Sequence, residues 1–227
     1  MGPYPDYYIE NLGKIFRAGE VIKLGKLCGD LGIPEVSSAK EFKKLNPDST
    51  VMIVTENIDW LKWILSQKLE NSDRKTILVL EFDSFVKTEP KQLEEELEFF
   101  KELQQKYPDR FEFKSIDVRS VLKEYLASKK SIGVRLKSEE AEQQEESADT
   151  ILRLFKKYGD YNLVVYLSVD IYVDLFTKLK ESRNNEEINN IINKIAVFVP
   201  YEERIEADHM LFVEAYRYDD TRYDDIK

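Results

Sequence analysis

Apolar residues along this chain change their spacing near residue 50. Before it they recur at helical intervals: Tyr7, Tyr8, Ile9, Leu12, Ile15 and Phe16, then Val21, Ile22, Leu24, Leu27, Cys28 and Leu31. Gly32 reads as the stop of that second stretch, and Ser37 or Ser38 as the cap of a short helix through Phe42 and Leu45. After residue 50, short continuous apolar runs alternate with amphipathic stretches. Val51–Thr55, Thr76–Glu81, Phe111–Ile116, Ser131–Leu136, Leu163–Leu167 and Ile195–Val199 predict strands. Helices are predicted over Ile58–Leu69, Leu93–Tyr107 (opened by Pro90 and stopped by Pro108), Val121–Ala127, Ile151–Tyr158, Ile171–Leu179, Ile188–Ile192 and near Ile205–Met210. Leu211–Tyr216 reads as a final edge strand.

Regular βα alternation implies an α/β fold, a mostly parallel central sheet with helices on both faces, RecA-like or Rossmann-like. The expected layout is a helical appendage over 1–44, the α/β domain over 45–218 and an acidic tail over 219–227. Helix, turn at Gly32-Ile33-Pro34, helix is also the outline of a helix-turn-helix DNA reader, with Lys40, Lys43 and Lys44 but also Glu35 and Glu41 near its face. The segment 137–149, rich in Glu and Gln, has no apolar periodicity and reads as a solvated loop running into a helix N-terminus.

Composition narrows the function classes. The 227 residues suffice for one sizeable core. A net charge of -10 argues against broad binding to a polyanion, because such binding draws its affinity from neutralised phosphates. The lone Cys28 excludes an intrachain disulfide and a multi-cysteine zinc site, and fits a reducing, cytoplasmic setting. Richness in Lys, Glu, Ile and Tyr is similar to that of heat-adapted proteins. No apolar run reaches the roughly 20 residues of a membrane span, and the opening Met1-Gly2-Pro3-Tyr4-Pro5-Asp6 lacks the pattern of a signal peptide.

The stretch Leu45-Asn46-Pro47-Asp48-Ser49-Thr50-Val51-Met52-Ile53-Val54 resembles the lead-in to the phosphate loop of RecA-like proteins of the KaiC group. The order of later strands, Leu78–Glu81, Phe113–Asp117, Leu163–Leu167 and Ile195–Val199, is similar as well. The resemblance implies a nucleotide-binding scaffold, yet the chemical motifs are missing. A phosphate loop needs glycines, a Lys and a Ser/Thr hydroxyl; residues 55–62 are Thr55, Glu56, Asn57, Ile58, Asp59, Trp60, Leu61 and Lys62. The magnesium-holding carboxylate expected after the Leu163–Leu167 strand is absent, since Leu167 and Ser168 stand there and Asp170 comes three residues late. The resemblance therefore implies a member that keeps the scaffold without ATP hydrolysis, with no cofactor expected.

Other constellations are sparse. Glu112-Phe113-Lys114, with Asp83 as a second acid, outlines a metal-dependent phosphodiester site. Asp83, Asp117 and Asp170 are candidate acids at the carboxyl ends of strands, where such sheets bind ligands. Glu206-Ala207-Asp208-His209 holds one Glu-x-x-His, but di-metal bundles need two and His209 is the only histidine. Trp60 and Trp63 are too close in sequence to share full burial in one core. A tandem repeat, Arg217-Tyr218-Asp219-Asp220 and Arg222-Tyr223-Asp224-Asp225, ends the chain. The expectation is a non-enzymatic regulatory or scaffolding module with a protein partner or self-association, no membrane and little nucleic-acid contact. The alternatives are a metal-dependent phosphoester hydrolase and a DNA-binding regulator.

Overall fold

The structure, a computed structural model, describes residues 4–81, 90–117, 134–135 and 147–212. The expected helix Val121–Ala127, most of the acidic segment and the tandem repeat lie outside them. In chain order the described elements are α1 (Tyr4–Leu31), β1 (Glu35–Val36), α2 (Ala39–Lys43), β2 (Thr50–Ile53), α3 (Ile58–Asn71), β3 (Thr76–Glu81), α4 (Pro90–Lys106) and β4 (Phe111–Asp117). There follow β5 (Val134–Arg135), α5 (Ser147–Lys157), β6 (Asn162–Tyr166), α6 (Val169–Glu181), α7 (Glu186–Ile192), β7 (Ile195–Phe198) and α8 over 201–212.

All strand pairs are parallel, and the sheet order is β1-β7-β2-β6-β3-β4-β5. The chain steps outward from β1 to β5, then returns to insert β6 between β2 and β3 and β7 between β1 and β2. Right-handed crossovers send the outbound helices to one face and the returning helices to the other. The cores agree. On one face Phe42 of α2, Leu61, Ile64 and Leu65 of α3 and Phe100 of α4 pack on Val51, Ile53, Leu78, Leu80, Val164 and Phe198. On the other, α1, α5, α6, α7 and Ala207 of α8 cover Met52, Ile77, Val79, Leu163, Val165 and Val197. Successive strand residues thus feed opposite cores, which is why the central strands read as unbroken apolar runs.

Three expectations change. The helical periodicity before residue 32 forms one helix, α1, whose end is closed by Gly32 at φ +69 and by the Ile33 N–H donating to the Cys28 carbonyl at 2.9 Å. The segment after the turn is not a recognition helix: Glu35–Val36 is an edge strand paired with Val197 and Phe198. Residues 4–44 thus include an edge strand and helices that pack on the core, and Ser38 caps α2 by accepting from the Glu41 N–H at 3.2 Å. Leu211 and Phe212 belong to α8 instead of a final strand, and the rest of that stretch lies outside the described residues.

Candidate functional site

In open α/β sheets, ligands settle beyond the carboxyl ends of adjacent strands whose connections leave to opposite faces. Here β2 runs into α3 on one face, while its neighbours β6 and β7 run into α6 and α8 on the other. The crevice lies over Thr55–Asn57, Leu167–Ser168 and Val199–Glu203. The amino end of α3 turns the positive end of its dipole toward it.

A carboxylate of the chain itself takes that place. Glu203, 4% exposed, accepts the Glu56 N–H at 2.8 Å and the Thr55 hydroxyl at 3.3 Å through one oxygen, and Arg17 Nη1 at 2.6 Å through the other. Thr55 Oγ1 in turn accepts the Asn57 N–H at 3.0 Å, and the Asn57 side chain caps α3 by accepting from Asp59 at 3.0 Å. Arg17 Nε lies 3.5 Å from the Glu56 carboxylate. One arginine reaching over from α1 thus serves two acids, one buried and one exposed.

Side chains close the remaining space. The buried Tyr166 hydroxyl donates to the Thr55 carbonyl at 2.8 Å. The Tyr172 hydroxyl, fully buried, accepts the Leu167 N–H at 2.9 Å, and its single proton serves the Val165 carbonyl at 2.7 Å and the Ile53 carbonyl at 2.9 Å. It ties the ends of β2 and β6 together. Trp60 lies against Phe198, centroids 5.0 Å apart, and donates from Nε1 to Glu202 at 2.7 Å. Trp63 meets Trp60 edge-on at 5.9 Å and Phe42 at 5.2 Å, so both tryptophans are half-buried in one aromatic cluster. Beside the plug a small, shallow cleft open to solvent runs between α1 and α8, lined by Lys14, Arg17, Glu56, Glu206 and Met210 among others.

The acids singled out from sequence do not converge. Glu112 sits near the amino end of β4, in register with Ile77 and ion-paired to Lys75 at 2.8 Å. Asp117 is at the opposite end of that strand, in register with Glu81, and Lys114 lies between them, opposite Val79. At about 3.3 Å per residue, five positions separate the two acids by roughly 16 Å along β4. Asp170 is exposed in the first turn of α6, and Asp83 lies outside the described residues. Lys62 places its ammonium over the Phe99 ring at 5.1 Å, and Glu206 and His209 are exposed on α8. Among the described residues, no three His, Cys, Asp or Glu side chains are grouped to hold a metal ion.

Sequence reading missed Glu203 and Arg17. A partial signal for the first exists: Pro200 after a buried strand marks a helix start, and an acid in that first turn favours the helix dipole. Nothing local points from it to Arg17, 186 residues away. No helix among the described residues is long and apolar enough to cross a membrane. Comparison of the chain with protein-family models, with curated proteins and with solved structures gives no match.

Proposed function

We propose that this chain is a non-catalytic, RecA/KaiC-like α/β protein that acts as a regulatory or scaffolding interaction module in a reducing compartment. The observation that supports this reading is the Glu203 carboxylate at the amino end of α3, neutralised by Arg17. A phosphate entering that turn has to displace an internal anion already satisfied by a charged and two neutral donors, and then meets Glu56 and the Trp60 ring. Hydrogen bonds to charged groups are worth about 1.5–3 kcal/mol each, so the internal ligand holds a large advantage over an external one. The compartment is supported by Cys28, a thiol buried at 1% exposure.

Calorimetric titration with ATP and magnesium is the direct test. The expected result is no saturable heat at micromolar concentrations. Binding with a micromolar dissociation constant overturns the reading, because it requires a nucleotide site that coexists with the plug or expels it.

A further inference from the structure

We propose that α8 is a releasable latch, a switch that deepens the interaction-module reading on which it rests: its first turn closes the crevice at the carboxyl ends of the strands, and the helix swings off about Pro200 to uncover it. Four consecutive side chains make the closure, each on a different part of the molecule. The Tyr201 hydroxyl donates to Glu41 of α2 at 3.0 Å, and Glu202 accepts from Trp60 of α3 at 2.7 Å. Glu203 accepts from Arg17 of α1 and from the Glu56 N–H before α3, and Arg204 Nη2 lies 2.7 Å from Glu35 of β1. All of these bonds are polar, and together they pin one helical turn beside Thr55–Asn57.

Apolar burial holds α8 far less. Ala207 is buried and Met210 and Leu211 are partly so, while Ile205 and Phe212 are 67% and 68% exposed. The preceding strand is the opposite: residues 195–199 are at most 2% exposed, and β7 is paired on both sides. A segment with little buried apolar surface opens at lower free energy than the core beside it. The Val199 N–H is still tied to the Val36 carbonyl at 2.9 Å, which places the hinge at Pro200.

The docked turn also carries a cost. Arg204 Nε is buried with no hydrogen-bond partner, and water satisfies it once the helix leaves. Release breaks the Glu203 bonds, so the Glu56 N–H, the Thr55 hydroxyl and Arg17 then face the crevice without their internal anion.

The test is amide hydrogen exchange of the full chain, followed by NMR at increasing urea below the unfolding transition. Amides 205–209 are expected to exchange through an opening almost independent of urea, and those of β7 through one as steep in urea as global unfolding. The Glu56 N–H, whose acceptor is Glu203, is expected to follow 205–209. Glu203→Gln, which keeps the shape and removes the charge, is expected to speed both by about tenfold or more. Tyr201→Phe, which loses one bond at an exposed site, is expected to speed both by about twofold to fivefold, and it decides alone if Glu203→Gln does not fold. Merging of 205–209 with β7 overturns the proposal, because the helix then leaves only when the molecule unfolds. So does urea-independent exchange that the variants leave unchanged, which is fraying of a helix end. A Glu56 N–H that stays protected while 205–209 exchange also overturns it. ATP heat in calorimetry with the expected exchange intact would sink the non-catalytic reading alone, and merged exchange without ATP heat would sink the latch alone.

Discussion

Lys68 lies in the last turn of α3 with 3% of its surface exposed, and its ammonium donates to the carbonyls of Pro47 and Ser49 in the turn that feeds β2. Burial pulls its pKa down from 10.5 to about 8, and the nearby Asp48 offsets only part of that. Between these two values the unfolded chain still holds the proton that the fold has released, so stability from this group rises with pH over about 8 to 10.5. Urea midpoints of the wild type and Lys68→Met measured at pH 8 and pH 10 should show the balance moving toward the wild type by about 2 kcal/mol. An unchanged difference would mean that the ammonium is not desolvated. The residue was partly legible: position 68 falls on the same helical stripe as Leu61, Ile64 and Leu65, and a lysine on an apolar stripe signals either a surface edge or a buried donor. Which of the two applies depends on the Pro47–Ser49 carbonyls, and helical spacing says nothing about those. Cys28 shows the other sign, since burial, then Glu35, push its thiol up to about 12 and leave it unreactive at neutral pH.

Among the elements, α1 and α8 are held across the crevice by Arg17 and Glu203, with the two side chains 25% and 5% exposed. Removing one partner of such a pair strands the other, and the loss of a hydrogen-bonded charge costs about 2–3 kcal/mol. Arg17→Ala and Glu203→Ala should each lower the unfolding free energy by about that amount in urea titrations, and the double variant should lose clearly less than the sum. Strict additivity would show that the two residues act independently. The strands and helices of the central domain were legible because parallel strands buried on both faces leave unmistakable apolar runs, as in Leu163–Leu167 and Ile195–Val199. β1 was not. A strand of two residues carries no period, and Glu35–Val36 is extended only because β7 supplies its partner. The misreading of Leu211 and Phe212 has a related cause, since a short apolar run fits a helix and a strand equally well until packing decides.

For the molecule as a whole, the α/β class followed from alternation, but the strand order did not. Nothing in the residues of β2 and β3 announces that β6 will separate them, or that the N-terminal helix packs on the same face as α6. A chain ended at residue 194 loses β7 and α8, leaving β1 without its neighbour in the described sheet and β2 with a bare edge. Such a chain is expected to show no cooperative urea transition and to bind a hydrophobic dye. A sharp two-state transition in it would show that β7 is dispensable. The interleaved order also has a consequence during synthesis. β3 leaves the ribosome about 80 residues before β6, the strand that joins it to β2, and β2 leaves earlier still, so at about 5–20 residues per second the nascent chain presents unpaired, strongly apolar edges for several seconds. Slower translation or reduced chaperone cover over that interval is therefore expected to lower the yield of native protein even where the finished sheet is stable.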